Sequence, residues 1–118
     1  MKRIEPLQSE KKNNFNTTSV NFNRNELEPI LRVYGKMVSL GEWRDYSISS
    51  SFSSAIFSVF RRSSEKPFYS IIKTPKLSKQ NRIYSVVAMN GQIIKQGKDL
   101  KSVLQIFNKT IFKIVQKS

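Results

Sequence analysis

The side chains in this sequence with the clearest chemical potential are cations. The stretch Arg61-Arg62-Ser63-Ser64-Glu65-Lys66 brings two guanidinium groups, two hydroxyls and an ammonium together in one predicted turn. Guanidinium forks match phosphate oxygens bidentately, and neighbouring hydroxyls and loop amides add donors, so the chemistry is anion capture rather than bond breaking. Lys73, Lys76, Lys79 and Arg82 surround the next polar connection. Farther on, Lys101, Gln105, Lys109, Lys113 and Lys117 recur at every fourth position, which draws a basic ridge along a helix. Such a ridge can follow a phosphate backbone or an acidic protein groove, and it can equally keep an apolar helix in water. Aromatic residues interleave with these cations at Tyr46, Phe57, Phe60, Phe68, Tyr69 and Tyr84. Sheets that present rings beside Arg and Lys stack single-stranded bases. The spacing matches no RNP-type motif and one sheet face must be core, so Tyr69 and Tyr84 remain as the stacking candidates.

Catalytic sets are sparse. The chain has no cysteine and no histidine, which removes the thiolate nucleophile, the disulfide and the commonest general base and metal ligand. Glu42 and Asp45 flank Trp43-Arg44 and are the carboxylates nearest an aromatic, where an acid/base pair would sit. A structural reading accounts for them better: Trp43 packs at the corner between helix and sheet while Glu42 or Asp45 pairs with Arg44 or Arg61. The four glycines form no phosphate loop and no carboxylate cluster suggests a metal, so we expect no catalytic residue, no cofactor and no metal.

The charge is unevenly placed. Residues 1–60 carry 8 Lys/Arg against 6 Asp/Glu, and residues 61–118 carry 13 against 2. A field this lopsided favours nucleic acid, an acidic protein surface or an anionic membrane. Lysine, asparagine and isoleucine are also the residues that AT-rich coding supplies, but coding bias does not remove acids from one half only. The apolar runs are far shorter than the roughly 20 residues that cross a bilayer, and the first residues lack the apolar core of a signal peptide, so the expectation is a cytoplasmic protein with no membrane span.

The elements that must position these residues follow from periodicity. Residues 1–20 show neither period and read as a disordered arm. Phe22-Asn23-Arg24-Asn25-Glu26-Leu27 opens a helix, with Asn23 as cap, Glu26 completing a capping box and Phe22 stapling onto Leu27. Leu27, Ile30, Leu31, Tyr34, Met37 and Val38 then line one face, and Gly41 can end it. Pro29 should bend this helix or move its start to about Glu28. Beyond Trp43 come short β-branched and aromatic runs: Arg44–Ile48, Ala55–Arg61, Phe68–Lys73, Ile83–Met89 and Gln92–Gln96. Ser47–Ser54 reads as a loop or weak edge, and Thr74–Asn81 as a polar connection in which Pro75 stops the strand. Asn90-Gly91 predicts a type I′ hairpin. From Asp99, a plausible cap, Leu100, Val103, Leu104, Phe107, Ile111, Ile114 and Val115 return to the helical period. The whole predicts a single α+β domain over 21–118: an antiparallel meander of four to five strands flanked by an N-terminal and a C-terminal helix.

Through Gly41-Glu42-Trp43-Arg44-Asp45-Tyr46, Phe57-Ser58-Val59-Phe60-Arg61-Arg62, Pro75-Lys76-Leu77, Tyr84-Ser85-Val86-Val87 and Leu104-Gln105-Ile106-Phe107, the chain resembles a small alphaproteobacterial family catalogued as a domain of unknown function. Some members carry an automatic label as transcriptional regulators in cobalamin synthesis, and the resemblance brings no catalytic or binding residues with it. Taken together, these readings lead us to expect a non-enzymatic, basic, nucleic-acid-associated module of a regulatory kind. Its contacts would be Arg61, Arg62, Lys66, Lys73, Lys76 and Arg82, with Lys101, Lys109 and Lys113 as a second surface and Tyr69 and Tyr84 for stacking. The alternative is an adaptor that binds an acidic protein or self-associates through a sheet edge.

Overall fold

The computed structural model describes residues 19–62 and 66–117. Helix α1 spans Arg24–Ser39 and is followed by five strands, β1 (Asp45–Ser50), β2 (Ala55–Phe60), β3 (Tyr69–Lys73), β4 (Tyr84–Ala88) and β5 (Ile93–Gly97), and then by helix α2 (Leu100–Lys117). The strands form one antiparallel meander in sequence order. The arm expected over 1–20 falls on residues outside the description up to 18. Val20 already belongs to the fold, its amide donating to Ser51 O at 2.8 Å.

Helix α1 starts where its cap dictates. Asn23 Oδ1 accepts from the Glu26 amide at 2.9 Å while Glu26 Oε1 accepts from the Asn23 amide at 2.8 Å, so two otherwise orphaned donors are satisfied reciprocally. The start is therefore at Arg24 and not near Glu28, and Pro29 is carried inside the helix. The end is a Schellman turn. Gly41, at φ +78°, lets its own amide reach Val38 O and the Glu42 amide reach Met37 O, both at 2.9 Å. This turn drives Trp43 into the core at the corner between helix and sheet.

Ladder pairing fixes which side chains share a face. The rows Ile48–Phe57–Ile71–Val86 and Tyr46–Val59–Tyr69–Ala88 point to one side, and Ser47–Ser58–Ser70–Val87 and Ser49–Ile56–Ile72–Ser85 to the other. Both helices pack on the first side, where Phe57, Val59, Ile71 and Val86 meet Ile30, Met37, Trp43, Val103, Leu104 and Phe107 in a single core. Phe57 is fully buried, and truncating it to Ala would cost about 3–5 kcal/mol. The predicted apolar stripes exceed what the sheet covers. Leu31 and Val38 of α1 and Phe112 and Val115 of α2 are exposed.

Two connections differ from expectation. Asn90 does not take a positive φ; only Gly91 does, at +88°, with its amide bonded to Ala88 O and the Ala88 amide bonded to Gln92 O. The hairpin is thus a type I turn closed by a glycine in the left-handed region, not type I′. The connection after β3 is ordered as a 3-10 helix over Pro75–Gln80, with Pro75 in its first turn and Asn81 left-handed at its end.

Candidate functional site

Both helices run in the same direction across the sheet, from the end holding Lys73, Tyr84 and Gly97 to the end holding Arg44 and Arg61. Each predicted site residue is positioned by this arrangement.

Lys73 and Tyr84 lie at the first end and face α1. Lys73 Nζ donates to Glu26 Oε1 and to Asn21 O, each at 2.9 Å, and Tyr84 Oη donates to Glu26 Oε2. Burial alone would push the Glu26 carboxyl up, but hydrogen bonds from Tyr84, the Asn23 amide and Lys73, with the Lys73 charge, outweigh it and leave its pKa below the ordinary 4.5. Burial and the Glu26 charge push the Tyr84 phenol above its ordinary 10. This cluster ties the α1 cap to β3 and β4, so the polar atoms of Lys73 and Tyr84 are engaged within the fold. Tyr69 is half-buried against Phe107 and Trp43, with ring centroids 5.2 and 6.3 Å away, and is part of the packing rather than a stacking platform.

Arg61 and Arg62 lie at the other end, beside Arg44, around an open groove of about 700 Å³ that Val38, Gly41 and Trp43 complete. Arg61 sits 5.1 Å over the Phe68 ring and 3.6 Å from Glu42. Half-exposed as it is, the pair with Glu42 contributes little stability but offsets some of the local positive charge. Trp43 is 2% exposed and its Nε1 has no hydrogen-bond partner among the described residues. Ser63, Ser64 and Glu65 of the same predicted turn lie outside the described residues. Lys76 lies within the 3-10 helix and Arg82 just beyond its end, at the opposite end of the sheet, so the two predicted cation groups do not meet.

Three cations, two of them not marked by the sequence reading, line one groove between the helices. Helices α1 and α2 leave a groove of about 310 Å³ between them, lined by Arg32, Lys36, Lys101, Gln105 and Asn108 over a floor of Pro29, Val33 and Leu104. None of its lining residues is acidic. The α2 ridge divides here for a geometric reason: residues four apart advance 40° beyond a full turn, so positions eight apart diverge by about 80°. Lys101 turns toward α1, whereas Lys109 lines a separate hollow with Lys95 of β5, and Gln105 touches both. Lys113 continues the ridge as an exposed residue. Sequence reading missed Arg32, Lys36 and Arg44. Arg32 and Lys36 repeat the spacing of four seen on α2, which is the signal that could have found them.

Among the described residues no three Asp, Glu, His or Cys side chains come together, and no helix is long and apolar enough to cross a membrane. No curated protein and no solved structure matches this chain. A family model does match, over residues 20–104, which takes in α1, all five strands and the first turn of α2 and leaves Lys109 and Lys113 beyond it. The chain belongs to the family described as protein of unknown function (DUF2794).

Proposed function

We propose that this protein is a non-enzymatic module that binds the phosphate backbone of nucleic acid along its helical layer. The observation that carries the reading is the groove between α1 and α2, whose lining holds Arg32, Lys36 and Lys101 and no carboxylate, with Gln105 and Asn108 supplying neutral hydrogen-bonding groups. Like-charged side chains held at one groove repel, and an anionic chain laid between them relieves that repulsion while releasing its own counterions. The Arg44–Arg61–Arg62 groove is a second, weaker patch, since Glu42 opposes it. In the Glu26–Lys73–Tyr84 cluster both Lys73 and Tyr84 donate to the Glu26 carboxylate, which supports a structural rather than a catalytic role for it.

Fluorescence anisotropy against labelled single-stranded RNA, single-stranded DNA and duplex DNA, from about 50 to 300 mM salt, tests this. Binding should fall steeply with salt, and Arg32→Glu combined with Lys36→Glu and Lys101→Glu should abolish it at moderate salt while Arg61→Glu with Arg62→Glu only weakens it. Absence of binding at the lowest salt would defeat the reading and favour an acidic protein partner.

A further inference from the structure

We infer that the β1 edge is a self-association surface on which a second copy of this chain pairs antiparallel, extending the meander into one ten-stranded sheet. The two edges of the sheet are built differently. β5 carries the usual obstacles to strand addition: an extra residue between the Val86–Lys95 and Val87–Ile93 pairs, which twists the edge, and Lys95 within the strand. β1 has neither. Its six residues are all exposed, its register with β2 is unbroken from Asp45 to Ser50, and no described strand pairs with its outer edge, which meets only Val20 and Asn21 at the Ser50–Ser51 end.

Charge selects the occupant. A molecule of net charge +13 meets its own copy favourably only where its charge is absent. Residues 45–60, the whole β1–β2 hairpin, contain a single charged side chain, Asp45, in a chain with 29 of them (21 basic and 8 acidic). An anionic partner would be drawn to the helical grooves instead, leaving this edge to a neutral and self-complementary one.

The strand is self-complementary in one register. Residues directly opposite in an antiparallel pair share a face, and a twofold axis at Ser47 sets Tyr46 of each copy against Ile48 of the other on the helix side. Tyr46 and Ile48 are 45% and 46% exposed in the single chain, so this register covers both with an aromatic and β-branched cross-strand pair, twice by symmetry. Asp45 then faces Ser49, and Arg44 falls opposite Ser50, with no like charges juxtaposed.

Sedimentation of the full chain after nuclease treatment, over a wide range of protein concentration, tests the inference independently of nucleic-acid binding. The expected result is a concentration-dependent shift from 13.7 kDa to twice that mass. Ser47 is exposed, so Ser47→Lys and Ser47→Glu should fold normally by circular dichroism, yet each sets like charges across the axis and should weaken association at least tenfold. Mixing the two variants should restore a dimer, and Ile93→Lys on β5 should leave it intact. A mass of 13.7 kDa at every concentration, a dimer indifferent to Ser47→Lys, or failure of the mixed variants to associate would each overturn it.

Discussion

Lys73 Nζ lies 2.9 Å from Glu26 Oε1, joining the third strand to the first turn of α1 across 47 residues of sequence. The same carboxylate accepts from Tyr84 and from the Asn23 amide, so one side chain closes the helix cap and two strands together. Removing one partner of a buried pair costs about 3–5 kcal/mol, and losing a cap about 1. Lys73's side chain remains 17% exposed, which lowers the first figure. Glu26→Ala should therefore cost about 2–4 kcal/mol in urea unfolding, and Asn23→Ala only about 1.

The same cluster sets the pH dependence of stability at both extremes. The folded Glu26 pKa lies below its ordinary 4.5, so its contribution is fully present above about pH 4.5 and is lost as pH falls through the folded value. The folded Tyr84 pKa lies above its ordinary 10, so its contribution is fully present below about pH 10 and is lost as pH rises beyond it. Urea midpoints should accordingly drop at both ends. Glu26→Gln should flatten the acid limb and Tyr84→Phe the alkaline one, each from a lower starting stability.

Local sequence carried most of the architecture because the controlling interactions are themselves local. Asn23 and Glu26 cap a helix three residues apart, Gly41 ends it, and period-two runs mark every strand to within two residues at each end. What the sequence hid depends on tertiary distance. Nothing near Lys73 announces Glu26, and nothing near Lys101 announces Arg32 and Lys36, because their meeting requires two helices laid parallel on one sheet face. Pro29 was overruled by the capping box. Asn90-Gly91 predicts a type I′ turn, and the turn differs because only Gly91 takes a positive φ, which the dipeptide alone does not show.

The Schellman turn at Gly41 carries more than the end of a helix. It precedes Trp43, which is buried in the core, Glu42, which pairs with Arg61, and Arg44, which lines the groove beside Arg61. No heavy atom lies within 4 Å of where a Cβ would project, so the cost of Gly41→Ala is purely the backbone strain of φ +78°. That strain is about 1 kcal/mol. Thermal unfolding should show a loss of this size, and Gly41→Asn, which tolerates the left-handed region, should lose less.

Two lysines that the sequence treats alike should separate in a nucleic-acid titration. Lys101 is exposed at the groove between α1 and α2, whose lining holds no carboxylate, and at a neighbouring hollow that Glu26 and Asp99 line, whereas Lys73 is bonded directly to Glu26 and Asn21. A cation that neutralises a phosphate releases one condensed counterion, so its removal lowers the slope of log K against log salt by about 1, while a cation engaged inside the fold contributes nothing to that slope. Lys101→Gln should reduce the slope by about 1 and leave urea stability nearly unchanged. Lys73→Gln should do the reverse, lowering stability while the remaining folded protein keeps the full slope. Equal slopes for the two variants would remove Lys101 from the interface and with it the groove as the path of the phosphate backbone.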